Sequence, residues 1–485
     1  MTKTQKKVLA AVLIGVLVYF FMPASMGLTP LGVKLLSVFI PTVIIWLVVG
    51  GSGWSALLSV TMIVMLGVYD GNLAYQMQWG TSLVAMVIPF FMLASVLEES
   101  GAIEYIVKWI ISRKIVHGRP TLFTILFTVS LLVVNVFVHP FVVLVLYFKL
   151  LRQIAADIGE STDSTFYRSH GMLIGWISQF CDGTLIWLRP WILSMVAIVA
   201  AYGFENFTIT AFLRISIIYL LTATFILFLI VKLWIRPDVS KLKDFDDEAM
   251  RRSLKEKPLS RNAKIALTGM AAVMLCYLLS SFSVLGSVAT YLGALPVAAP
   301  ITLAVTLLCI ISVDGKPVIN MSKAALNVPW ETVLFLGGIM FYASIFGGEQ
   351  YGITVMLQNL LTPLVSSIPT AAAMLIALVA ASIFTNLASN SVSVIVVAAS
   401  FIPALLNIPG ADKAQILAFG ACIILTCATA ICTRSACGVM GLLYAKDGIE
   451  WSGTQKYSIT ICVIMVAFCA VILIPLGKAL LAGCI

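Results

Sequence analysis

Phe384 to Ser400 reads FTNLASNSVSVIVVAAS and places six polar side chains, Thr385, Asn386, Ser389, Asn390, Ser391 and Ser393, inside a sequence otherwise fit for lipid. In hydrocarbon each unpaired polar group costs several kcal/mol, roughly, so an Asn/Ser-rich break at membrane depth persists only where protein buries it or a watery cavity receives it. The stretch is a candidate site on those grounds alone.

Composition supplies the setting. The 485 residues are 61% hydrophobic and 11% charged, with a mean hydropathy of +1.07, which excludes a soluble globular chain and indicates a polytopic membrane protein. The net charge of +9 does not point to nucleic acid, because the basic residues are spread among loops and form no aromatic-interleaved stripe. The ten cysteines lie mostly in apolar runs and read as small packing residues. Cys422, Cys427, Cys432 and Cys437 recur every five residues, a spacing that winds around a helix and gathers no metal site. MTKTQKK and its apolar run resemble a signal peptide, yet Met22, Pro23 and Ala24 offer no convincing cleavage site, so a first membrane helix is expected.

Spans able to cross about 30 Å of hydrocarbon are expected near 8–22, 31–49, 54–69 and 82–97. Residues 98–117 set Ile103, Ile106, Val107, Ile110 and Ile111 at helical spacing beside Glu104, Lys108, Arg113 and Lys114, which predicts an amphipathic surface helix beginning at Glu98 and Glu99. Residues 120–151, broken by Asn135, His139 and Pro140, suit a re-entrant hairpin, and 171–202 is interrupted at Asp182, Gly183, Thr184, Arg189 and Pro190. A cleaner span follows at 212–235. Arg236–Lys264, with nine Lys/Arg against six Asp/Glu, reads as a linker. Beyond it come spans near 265–282, 294–312 and 330–347, a surface segment at 350–361, the quoted stretch as a second hairpin, an interrupted helix at 415–445 and a last span at 457–481.

The two halves match at a nearly constant offset. Adding 251 to Gly101 gives Gly352, to Asn135 gives Asn386, and to His139 gives Asn390, so VNVFVHPFVV aligns with TNLASNSVSV; Arg189 pairs with Arg434 at 245. Matched interrupted segments in two halves are the sequence mark of a transporter's central binding site. About eleven crossings with two hairpins are expected, and an odd number of spans in each repeat makes the repeats inverted. With the N-terminus cytoplasmic, Lys/Arg concentrate at 3–7, 108–119, 149–168, 236–264, 316–323 and 446–456, as the positive-inside rule requires.

Candidate substrate-binding residues are Thr385, Asn386, Ser389, Asn390 and Ser391, with Asn135 and His139 at matching places in the first hairpin and Thr184 and Thr433 in the interrupted helices. Their hydroxyls and amides suit either a carboxylate or a small hard cation, while polar packing between helices is the bland alternative. Arg189 and Arg434 sit in the two helix breaks, where a guanidinium matches carboxylate, phosphate or sulfate, or supplies fixed positive charge in place of a mobile cation. His139 and Asp182 are candidates for proton coupling, against a core histidine and a helix cap. His117 and His170 are expected in cytoplasmic loops, without a role. No HExxH motif or nucleophile with a placed base is visible, so an enzyme is not expected, and an anion channel is the alternative of another class.

GLTPLGVKLLSVFIPTVIIWLV (27–48), VPWETVLFLGGIM (328–340) and TNLASNSVSVIVV (385–397) resemble the divalent anion/sodium symporters of the ion transporter superfamily. The resemblance covers nearly the whole chain and is most specific at the second hairpin, where Ser389, Asn390 and Ser391 stand at the family's Ser-Asn-Thr. It implies a carboxylate held there, a sodium ion near the same residues, and a homodimer with elevator-like motion. Scaffold parts at 8–117 and 263–361 would carry arm helices, transport parts would lie at 118–235 and 362–485, and 236–262 would link them. The chain departs from the family at Val138-His139-Pro140, and at Leu188-Arg189-Pro190 and Thr433-Arg434-Ser435, where the family has Thr-Pro-Pro. A guanidinium there repels sodium. The expectation is therefore an all-α transporter of di- or tricarboxylates, sodium-independent or proton-coupled, with the sodium symporter of dicarboxylate or sulfate as the alternative. Small anions and the bilayer are its expected partners, with no cofactor and no nucleic acid.

Overall fold

The computed structural model describes residues 2–49, 53–137, 140–184, 190–244, 247–280, 286–296, 298–345, 348–387, 390–434, 436–444 and 448–485. Helices dominate it. The first half contains α1 (Lys3–Phe21), α2 (Pro30–Val48), α3 (Gly53–Met65), α4 (Gly71–Trp79), α5 (Ser82–Glu99), α6 (Ala102–Ile111), α7 (Pro120–Phe137), α8 (Pro140–Asp157), α9 (Thr165–Asp182), α10 (Pro190–Ala200) and α11 (Ile209–Leu229). After α12 (Asp247–Glu256) come α13 (Arg261–Ser280), α14 (Ser287–Ala294), α15 (Ala298–Ile310), α16 (Met321–Leu326), α17 (Trp330–Ile345) and α18 (Ile353–Ser366). The chain finishes with α19 (Thr370–Leu387), α20 (Asn390–Leu406), α21 (Lys413–Cys427), α22 (Gly438–Leu443), α23 (Gln455–Phe468) and α24 (Ile474–Leu480). One two-stranded antiparallel ribbon pairs Ser312 with Pro317 and Val313 with Lys316.

Local chemistry sets many of these boundaries. Thr29, Thr81, Ser164, Thr208 and Asp412 each accept a hydrogen bond from a first-turn backbone N–H at the start of a helix. The helices that follow the first-half breaks open on Pro140 and Pro190, which have no N–H to extend a preceding helix and a φ suited to starting a new one.

Several boundaries differ from expectation. Glu98 and Glu99 belong to the end of α5, where Glu99 takes Lys323 and Asn327 as partners, so the arm helix begins only at Ala102. Its apolar residues Ile103, Val107 and Ile111 are buried against protein, and Glu104 pairs with Lys108 at 2.6 Å. The expected span at 294–312 contains the shorter α15, which is bent by 82° from the preceding α14. His170 lies inside α9, wholly buried, with ring contacts to Phe166 O at 3.0 Å and Thr124 Oγ1 at 3.3 Å. The loop expectation failed because Arg168 and His170 masked an otherwise apolar helix.

The charged linker is partly ordered on the protein. Lys241 pairs with Glu160 at 2.8 Å and donates to Gly159 O, which holds the Glu160 carboxyl below its ordinary range. Arg251 on α12 donates to Ser112 O at 3.0 Å, attaching that helix to the end of α6. Among the described residues five helical stretches are long and apolar enough to cross a membrane, or six counting the bent pair, and six shorter apolar helices accompany them.

The order α5-α6-α7-α8-α9 recurs as α17-α18-α19-α20-α21. Gly101 and Gly352, 251 residues apart, both adopt the left-handed conformation, at φ 69° and 65°, immediately before α6 and α18. Packing distinguishes them. A Cβ on Gly101 meets open space, whereas one on Gly352 collides with the Gly27 carbonyl, beside Leu28. Gly101→Ala is therefore expected to cost about 1 kcal/mol of backbone strain, and Gly352→Ala clearly more. Thermal melting of the purified variants checks the order: equal losses would contradict it.

Candidate functional site

The second hairpin and the second helix break are joined by one side chain. Asn386, in the last turn of α19, donates from Nδ2 to Ser382 O at 2.8 Å and to Thr429 O at 3.1 Å. Its Oδ1 accepts from the N–H groups of Ile431 at 2.9 Å and Cys432 at 2.8 Å. The amide thus uses both N–H donors and both lone pairs, and the two backbone donors fix which end is the oxygen. Thr433 Oγ1 completes the tie by donating to Asn386 O.

The break itself has few backbone groups left over. Ile431 O accepts from Tyr444 Oη at 3.2 Å, and Cys432 O accepts from Trp451 Nε1 at 3.1 Å. Side chains thereby replace the helical ladder that stops after Cys427, as unwound backbone at membrane depth requires. Thr385, fully buried, sets its hydroxyl 3.1 Å from Cys427 O and 2.9 Å from Asn390 Oδ1, one proton shared between the two acceptors.

The first half repeats part of this plan. Asn135 donates from Nδ2 to Leu131 O at 2.8 Å, four residues back as Asn386 does, and across to Ser178 Oγ on α9 at 3.3 Å. Thr184 donates to Phe180 O at 2.7 Å, and its carbonyl accepts from Ser216. The two halves then meet. Gly183 ends α9 and Ala428 ends α21, and a Cβ on Gly183 would overlap the Ala428 side chain. Glycine is required for this contact. Gly171 and Gly175 likewise admit Ile449 and Leu443, while Cys437 Sγ reaches Gln179 Oε1 at 2.9 Å and Trp176 Nε1 reaches Tyr444 Oη at 3.0 Å.

The sequence candidates separate into groups. Thr385, Asn386 and Thr433 tie the end of α19 to the break. Asn390 and Ser391 are buried at the start of α20, and among the described residues the Asn390 amide N–H₂ and the Ser391 hydroxyl make no hydrogen bond within the protein. Asn135 and Thr184 are buried in the first half, and Asp182 is half-buried at the end of α9. His139, Arg189 and Ser389 lie outside the described residues.

Arg434 occupies the break, but its side chain is exposed, 5.5 Å from the Trp451 ring. It lines a cavity of about 540 Å³ together with Arg152, Arg168 and Glu450. Sequence spacing could not bring these together, since they come from α8, α9 and the region after α22. Trp451 and Tyr444 were also missed, because an isolated aromatic in an apolar chain carries no signal of the carbonyl it will meet.

The family model described as "Citrate transporter" matches residues 8–424. A 92-residue stretch is 35% identical to Na(+)/dicarboxylate cotransporter 3 of Homo sapiens; it covers 19% of this chain and 14% of that protein, so the chain spans only a small part of that relative's length. Replacing Asn386 by Ala strands the Cys432 N–H at a cost of about 1–3 kcal/mol and cuts the tie between α19 and the break, while the Ile431 N–H and the Thr429 carbonyl keep their bond to each other. Asn386→Ala should therefore lower the melting temperature well beyond Ser391→Ala, which strands no protein partner. Comparable melting curves for the two purified variants would contradict the bridging role.

Proposed function

Because the chain belongs to the citrate transporter family, we propose that it is a secondary transporter of small multivalent carboxylates, of the C4 to C6 di- or tricarboxylate class. The observation that carries this reading is the pair Asn390 and Ser391, buried beside the clamped break with donors not taken by the protein. One carboxylate of the substrate would accept from the Asn390 amide and the Ser391 hydroxyl, and Ser389 would complete the set. Thr385, Asn386 and Thr433 act as positioning residues that hold the tip in register with the break.

The movement that follows from this reading is elevator-like. Transport parts at 118–235 and 362–485 would carry the site past a scaffold at 8–117 and 263–361, in a homodimer of inverted repeats with about eleven crossings and a cytoplasmic N-terminus. The matched left-handed glycines before α6 and α18 and the recurring helix order support the repeat. For coupling, exchange or proton symport is preferred over sodium symport, with His139 and Asp182 as the titratable groups and Arg189 as fixed charge at the first break.

A sodium-coupled reading has one observation in its favour. The carboxyl ends of α9 and α21 touch at Gly183 and Ala428, and two helix C-termini together favour a positive charge nearby. Purified protein in liposomes decides between them. Saturable counterflow of labelled citrate or succinate without sodium is expected, with Asn390→Ala and Ser391→Ala each slowing it by about tenfold, the equivalent of one lost hydrogen bond. Uptake that requires an inward sodium gradient would overturn the coupling preference. Flux without saturation or counterflow would indicate a channel.

A further inference from the structure

The cavity beside Arg434 has a design of its own. Three guanidinium groups reach it from three separate stretches: Arg152 on α8, Arg168 on α9 and Arg434 in the second break. The Tyr167 and Tyr444 side chains line it too, and Tyr167 Oη lies 3.4 Å from Arg152 Nε. Two carboxylates share the wall, Asp163 and Glu450, and Glu450 holds Arg168 loosely, at 3.4 Å, with both side chains substantially exposed. Among the described residues Arg434 makes no ion pair and lies against Trp451.

We infer that this cavity is a second anion-binding site, a vestibule that takes a multivalent carboxylate before it reaches the hairpin tip; the inference rests on the carboxylate-transport reading above. Its volume of about 540 Å³ accepts a six-carbon tricarboxylate with part of its hydration shell, within the usual range for small-molecule sites. Guanidinium groups recognise carboxylates in bidentate fashion, and a polyanion offering several such groups displaces a single loose, solvent-screened contact such as that from Glu450. An exposed arginine on an aromatic face keeps its charge hydrated until the anion arrives.

Connection to the transport site runs through adjacent residues. Thr433 bonds to the Asn386 carbonyl at the tip, and the next residue, Arg434, lines the vestibule. Tyr444, which holds the Ile431 carbonyl, lines the same space, and Trp451, which holds the Cys432 carbonyl, lies 5.5 Å from the Arg434 guanidinium. The sequence reading assigns 149–168 and 446–456 to the cytoplasmic side, so the vestibule opens there.

The test is arginine footprinting of the full chain in phosphatidylcholine nanodiscs, using p-hydroxyphenylglyoxal and peptide mass spectrometry. Citrate at roughly three times its Kd occupies about three quarters of the sites, so labelling of Arg168 and Arg434 is expected to fall about fourfold, while exposed Arg119 and Arg214 are unchanged. The same protection is expected in Asn390→Ala, whose transport site is disabled. Unchanged labelling in the wild type overturns the vestibule. So does protection lost in Asn390→Ala, since it then originates at the tip, or protection produced by phosphatidylglycerol without citrate, which would make the cavity a lipid-headgroup site. Protection in a protein that shows no carboxylate counterflow would uphold the anion site and remove the transport reading.

Discussion

The hydrogen bonds of the Asn386 amide tie the end of α19 to the unwound stretch after α21. Unwound backbone at membrane depth must find its partners within the protein. The Cys432 N–H has its acceptor in Asn386 Oδ1, the Ile431 N–H is shared between that oxygen and Thr429 O, and the neighbouring carbonyls are met by Tyr444 and Trp451. This arrangement engages the Asn390 oxygen through Thr385 and leaves the Asn390 N–H₂ and the Ser391 hydroxyl outside the hydrogen bonds among the described residues.

The contact between Gly183 and Ala428 gives this arrangement its second constraint. It presses the ends of α9 and α21 together, so the two halves of the chain meet there. A side chain larger than hydrogen at 183 would separate them, and the Cys437–Gln179 and Tyr444–Trp176 contacts would open as well. The charge pattern around this point is uneven. Arg434 is exposed at the break and lines a cavity, a lower-cost position for a guanidinium than the dry helix junction.

Much of this was legible in the sequence. The membrane class followed from composition, and the helix ends at Phe137, Asp182 and Leu387 fall where polar residues and prolines interrupt apolar runs. The pairing of Asn135 with Asn386 followed from one offset, and the structure gives the two residues the same bond to the carbonyl four residues back. What sequence could not supply was the division of labour within the polar knot. Thr385, Asn386, Asn390 and Ser391 are chemically alike on paper, and only the partners they meet separate a clamp from a vacant donor. Long-range partners were invisible for the same reason: Trp451, Tyr444, Arg152 and Arg168 lie far from the tip along the chain. Helix boundaries failed where charged residues at a helix end were read as the start of the next element, as at Glu98 and Glu99, or where two polar residues disguised a buried helix, as around His170.

The central claim is that a multivalent carboxylate binds where the hairpin tip is clamped to the helix break. Hydrogen–deuterium exchange on the full chain in nanodiscs, with and without citrate, tests it most directly. The account predicts that residues 385–393 and 428–437 gain protection together when citrate is added, while α1 (Lys3–Phe21) does not change. Citrate-dependent protection confined to other segments, with both of these unaltered, would contradict it.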